Sequence, residues 1–211
     1  MKTPKKFRRW MLPVLCYLVA LAGWLVWGLW GMAADGLDRA SGRMTEQELA
    51  PADFALVDLE QQGEDTLVTT SGDPQMILED VSDQTVRTLQ IWADYDNPAR
   101  EMCLYYTTQE GQPYSQDRRV FPRQQADGSY LYQLPRGRIV SLRLDPCSPD
   151  QDKTVTITVN RIALNTSAAA NLLPNWYQTF CLILYPGLAA AALDWLGGLV
   201  GGILSRKKEV S

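Results

Sequence analysis

Asp94-Tyr95-Asp96 has the spacing by which nucleotide-sugar transferases hold a divalent metal, and Gln90, Trp92 and Arg100 lie close by in the chain. If residues 86–94 and 100–107 form one hairpin, Trp92 and Tyr105 meet on its solvent face. A flat aromatic platform suits a sugar ring, whose C–H faces are apolar while its hydroxyls need hydrogen bonds, here from Gln90, Asp94 or Arg100. The same pair also fits an ordinary cross-strand aromatic contact. Asp94 and Asp96 equally fit a solvated turn between strands, because the chain lacks the α/β nucleotide domain that gives the D-x-D spacing its meaning. Hard cations take clustered carboxylate and carbonyl oxygens. A structural Ca2+ held by Asp94, Asp96 and Asn97, or by Asp145, Asp150 and Asp152, is therefore the one cofactor these residues could take; the expectation is none.

Other chemistry is excluded by what is missing. The chain has no His, which removes Ser-His-Asp triads, His-based acid–base catalysis and His-bound zinc. No G-x-S-x-G, P-loop or G-x-G-x-x-G occurs. Catalysis is not expected. Of the 4 Cys residues, Cys16 and Cys181 lie in apolar runs, leaving Cys103 and Cys147. A bridge between these two would close a loop of roughly 45 residues, worth about 3–4 kcal/mol. Spacing alone leaves a bridge and two free thiols equally open.

These residues sit on period-two segments. TVTITVNRIALN (154–165) places Val155, Ile157 and Val159 on one face, and RIVSLRLDP does the same with Val140, Leu142 and Leu144. RTLQIWADY puts Leu89, Ile91 and Ala93 opposite Gln90 and Trp92, and EMCLYYTT puts Met102, Leu104 and Tyr106 opposite Cys103 and Tyr105. Such alternation, cut by the turn clusters SGDP, DNPA, EGQP and ADGS, predicts an antiparallel β-sandwich of jelly-roll type.

Two apolar runs enclose this region. Residues 10–34 carry no charge, and residues 180–205 carry only Asp194. About 20 apolar residues cross a bilayer as a helix, so both runs predict transmembrane helices. Trp24, Trp27 and Trp30 suit the outer interface. Lys2, Lys5, Lys6, Arg8 and Arg9 precede the first span and Arg206, Lys207 and Lys208 follow the second. Cationic flanks stay in the cytoplasm, which predicts a plasma-membrane protein with both termini inside and its acidic middle outside. That acidity, within a net charge of −4, excludes a nucleic-acid binder. The predicted order is a basic tail at 1–9, a span at 10–34, a polar spacer at 35–52, the sandwich at 53–166, a linker at 167–179, a span at 180–205 and a basic tail at 206–211. In the second span, Gly197 and Gly201 interlock with Gly198 and Gly202, and small residues four apart let helices approach closely. With Asp194 one turn earlier, this stripe predicts packing against the first span or a partner helix, self-association included.

SGDPQMIL (71–78), CLYYTTQEGQPYSQDRRVF (103–121) and SLRLDPCSPDQDKTVTITVNRIALN (141–165) resemble the jelly-roll, carbohydrate-binding-module-like ectodomains of Gram-positive multi-pass, glycosyltransferase-like membrane proteins. The resemblance covers about residues 50–165 and implies a domain that binds envelope polysaccharide. The chain has one further span where those relatives have many, so their transferase activity is not carried over. The expected function is non-catalytic: the sandwich binds envelope glycan or assists a glycan-handling complex. The alternatives are a scaffold whose sandwich binds a protein and, more remotely, an enzyme related to glycosyl transfer.

Overall fold

The computed structural model describes residues 5–150, 153–169 and 171–209, with side-chain surroundings given for 10–150, 153–169 and 171–199. The chain divides into a helical unit, residues 1–32 with 171–211, and a β unit, residues 33–170.

The helical unit is built on α1 (Lys5–Ala40), whose last turns belong to the β unit, and α2 (Trp176–Glu209). Both are long and apolar enough to cross a membrane, and only 6% and 11% of their most apolar windows are buried. Core helices of a water-soluble fold hide such side chains, whereas these remain exposed. The Trp24 indole N–H donates to the Leu172 carbonyl at 3.2 Å. Gly28 and Gly31 make room for that turn: a Cβ on Gly28 would meet Leu172 and lie 3.0 Å from the Asn171 carbonyl, and one on Gly31 would lie 2.8 Å from the Asn171 Oδ1. The Tyr17 hydroxyl donates to the Ile183 carbonyl at 2.8 Å. That contact falls just before Pro186, where the helix's own ladder loses a donor.

The β unit pairs 12 strands into two antiparallel sheets: β1 (Gln47–Leu49), β2 (Ala55–Val57), β3 (Leu59–Gln61), β4 (Thr66–Thr69), β5 (Gln75–Leu78), β6 (Thr88–Tyr95), β7 (Cys103–Tyr106), β8 (Arg119–Val120), β9 (Arg123–Gln124), β10 (Tyr130–Gln133), β11 (Leu142–Asp145) and β12 (Thr156–Leu164). One sheet runs β3-β4-β12-β6-β10-β9, with β1 also on β12; the other runs β2-β5-β11-β7-β8. From β4 to β7, and again from β10 to β12, each strand lies in the sheet opposite its predecessor. Leu67, Leu89, Ile91, Tyr132, Ile157, Ile162 and Leu164 from one sheet meet Met76, Leu104, Leu142 and Leu144 from the other in a single core. The faces read from alternation hold: Leu89, Ile91, Leu104, Leu142, Leu144, Val155, Ile157 and Val159 all point inward.

Two expectations are corrected here. Residues 86–94 and 100–107 do not form a hairpin, because β6 and β7 lie in different sheets. Residues 35–52 are not a spacer: α1 runs to Ala40, β1 adds to β12, and Pro51–Asp53 forms a 3-10 turn. Ser41 N–H closes on the Leu37 carbonyl and Gly42, at φ 75°, turns the chain away in the left-handed conformation that ends many helices.

Candidate functional site

The outer face of the larger sheet gathers the most varied polar chemistry, and a β-bulge creates it. The β12–β6 register shifts between Val159 and Arg161, so Trp92 pairs with Arg161 and Asp94 with Thr158. One extra residue breaks the alternation and re-aims side chains, which leaves both Asn160 and Arg161 exposed beside Trp92. The Asn160 amide donates to Asp94 at 2.8 Å. The Arg161 guanidinium stacks 4.9 Å from the Trp92 ring and pairs with Glu48 at 2.6 Å. The Trp92 indole N–H donates to Asp127 at 3.0 Å. Hydrogen bonds from the Ser129 hydroxyl and N–H, then from Trp92, hold Asp127 below the ordinary carboxylate range. A partly buried indole thus contacts Asp127 and the Arg161 guanidinium, with Glu48 beyond Arg161 and the exposed Asp94–Asn160 pair on the same two strands.

The other proposed ligand residues are not in this patch. Tyr105 sits on β7, in the opposite sheet, so it forms no platform with Trp92. It is buried: the Arg143 guanidinium lies 5.1 Å from its ring and Gln116 donates to its hydroxyl at 3.2 Å. Gln90 shares the face of Trp92 but is also buried, donating to Ser129 at 2.7 Å and accepting from Ser167 at 2.7 Å. Chain returning after β12 covers it, which local alternation does not reveal. Arg100, in the β6–β7 loop, is paired with Asp150.

Asp94 and Asp96 do not converge. Asp96 accepts from the Thr156 N–H at 2.8 Å, a bond that lowers its pKa, while Asp94 is bound to Asn160. Asp145 is taken by Arg143 and Asp150 by Arg100 and Lys153; Asp152 lies outside the described residues. Among the described residues, no group of three or more His, Cys, Asp or Glu is placed to hold a metal.

Cys103 and Cys147 are free thiols, one of the two alternatives left open by their spacing. Cys103 opposes Asp145 across β7–β11 on the outer face and donates to its carboxylate at 3.7 Å, whereas Cys147 is in the inter-sheet core. Burial pushes their pKa values up to about 11 and about 12. Asp145, held by Arg143 Nε at 2.7 Å and Nη2 at 2.9 Å, is raised by burial, which outweighs that cation.

Alternation also missed an ion cluster at one end of the β unit. Asp35, near the end of α1, meets Arg87 at 3.1 Å and also Arg136; Asp38 meets Arg136 and, at 2.7 Å, Arg43. Carboxylates near a helix C-terminus oppose its dipole, so this cationic surround is what keeps them there. Asn165, at φ 58° after β12, bonds the Arg87 N–H at 2.8 Å and the Thr85 and Thr45 carbonyls at 2.9 and 3.1 Å. The D-x-x-D spacing of Asp35 and Asp38, one helical turn apart, was the available signal.

In the helical unit, Asp194 is exposed and Gly197 and Gly198 have nothing within 4 Å of a built Cβ. Among the described residues, Gly197 and Gly198 therefore make no close contact with α1. The surroundings of Gly201 and Gly202 lie outside those described.

No family model and no curated protein matches the chain. Solved structures do. A low-affinity xylan-binding module, CBM86, of Roseburia intestinalis is 11% identical with a TM-score of 0.39, over 60% of this chain and 98% of that one. A β-1,3-glucan-binding CBM6 from Bacillus halodurans is 8% identical with a TM-score of 0.38, over 56% and 94%. A CBM35 from Paenibacillus barcinonensis is 11% identical with a TM-score of 0.32, over 58% and 99%. The two-sheet architecture itself rests on the strand pairing above.

Proposed function

We propose that this chain is a non-catalytic plasma-membrane protein of a Gram-positive bacterial envelope, whose jelly-roll-like sandwich binds glycan outside the cell through the Trp92 face. Exposed apolar side chains along α1 and α2 support the membrane part, and the basic residues at 2–9 and 206–208 support cytoplasmic termini. The observation that carries the glycan part is the bulge at Asn160, which sets the Arg161 guanidinium on the indole and leaves the Asn160–Asp94 pair exposed on the same strands. Sugar hydroxyls need both kinds of partner beside an apolar surface. Asp94 has one oxygen bound by Asn160 and an ionised carboxylate can accept further bonds. No cofactor enters this reading.

A sandwich that binds protein is the second reading, favoured by Phe121, which is 54% exposed. Val57, an exposed large apolar side chain on β2, lies at the opposite edge of that sheet from β8, the strand that Phe121 follows. The two do not make one apolar patch, and protein interfaces favour a contiguous one.

The test is titration of the full chain in nanodiscs with soluble wall polysaccharide, β-glucan and xylan. Trp92→Ala should weaken binding about tenfold, the scale of one aromatic contact, and Phe121→Ala should leave it unchanged. Binding that is lost with Phe121→Ala and kept with Trp92→Ala would overturn the assignment, as would no binding to any of the three.

A further inference from the structure

Asp194 is the only Asp, Glu, Lys or Arg between Phe180 and Ser205. At a helical rise of 1.5 Å per residue, it lies about 27 Å along α2 from Trp176 and about 18 Å before Arg206. On the membrane reading above, on which this inference rests, that depth is inside the hydrocarbon. The carboxylate is exposed, and among the described residues it receives no hydrogen bond or ion pair. The side of α2 toward α1 is a different one: Cys181, Leu182, Tyr185, Ala189 and Leu193 line the apolar groove between the two helices. One turn beyond Asp194, Gly197 and Gly198 leave open space beside it.

We propose that this face of α2 receives a transmembrane helix of another polypeptide, carrying a Lys or Arg at the depth of Asp194. Intramembrane carboxylates are rare and almost always face protein, water or a cation. Charge complementarity selects the occupant. Neither apolar run of this chain contains Lys or Arg, and the chain has no His, so a second copy brings only another carboxylate to that depth. A foreign helix with a basic side chain neutralises Asp194, and the glycines let its backbone come close enough for the pair to form.

The test uses the full chain in phosphatidylcholine–phosphatidylglycerol vesicles, with a labelled poly-Leu/Ala transmembrane peptide bearing one central Lys as the probe. Energy transfer to a label on the chain reads association. The Lys peptide should associate at least about tenfold more tightly than the same peptide with Leu in its place, and Asp194→Asn should abolish the difference. Equal association of the two peptides with the wild-type chain would overturn the inference. So would Asp194-dependent transfer between two labelled copies of the chain without a preference for Lys. Alkaline carbonate extraction separates the two levels: a chain released by carbonate overturns the membrane reading and the inference together. A retained chain that shows no Lys preference overturns the inference alone.

Discussion

Asp35 and Asp38 in the β unit each meet two guanidinium groups, while Asp194 in the helical unit meets none. Both sets of carboxylates sit on long, mainly apolar helices. The difference lies in what surrounds them. The sandwich supplies Arg87 from just before β6 and Arg136 from just after β10 to the final turns of α1, so its acids are satisfied within the chain. The helical unit has no cation to offer at the depth of Asp194. An ion pair broken from one side inside a fold is costly, and the contrast teaches that the β unit pairs Asp35 and Asp38 from its own residues, whereas the proposal above gives Asp194 a partner from another polypeptide.

The largest test of that contrast is at its buried cation. Arg87 is 7% exposed, and Arg87→Leu should destabilise the β unit by about 3–5 kcal/mol, the cost of breaking a buried pair from one side. Chemical unfolding of the full chain in micelles measures it; a loss below about 1 kcal/mol would mean that Arg136 alone suffices for Asp35. Asn165→Ala comes next, at about 2–4 kcal/mol, because the backbone groups of Thr45, Thr85 and Arg87 lose their partner. Asn165→Gly separates the contributions: glycine tolerates φ 58°, so any loss that remains belongs to the hydrogen bonds.

The thiols sharpen the comparison by pH. Their folded pKa values stand above the ordinary 9.0, at about 11 for Cys103 and about 12 for Cys147. A group whose folded pKa is raised contributes stability that is present below its unfolded pKa and lost as pH rises toward the folded one. Unfolding free energy should therefore fall between about pH 9 and pH 12, and Cys103→Ser with Cys147→Ala should flatten that slope. At neutral pH a maleimide should reach neither thiol until the β unit is unfolded. The smallest effect is at the rim: Arg100→Ala removes an exposed pair with Asp150 and should cost less than about 1 kcal/mol.

Much of the sandwich was legible because alternation is a local signal. Leu89, Ile91, Leu142, Leu144 and Ile157 face the core as their spacing requires. The site was less legible, for reasons that are not local. Trp92 and Tyr105 were paired by chain proximity, whereas successive strands here alternate between sheets. Gln90 carries an exposed residue's pattern but lies under the segment after β12. The bulge at Asn160 appears in sequence only as the point where the alternation of TVTITV fails to continue. Asp35 and Arg87 are 52 residues apart, and no periodicity links them.

The central claim is that the β unit stands outside a membrane that α1 and α2 cross. Single cysteines in an otherwise cysteine-free chain test it most directly. Gly72 is suitable, since a Cβ there meets nothing within 4 Å. On intact cells, a membrane-impermeant maleimide should label Gly72→Cys at once and Ser211→Cys only after permeabilisation. Labelling of Ser211→Cys with Gly72→Cys protected would invert the topology. Protection of both until permeabilisation would place the β unit in the cytoplasm and contradict the account.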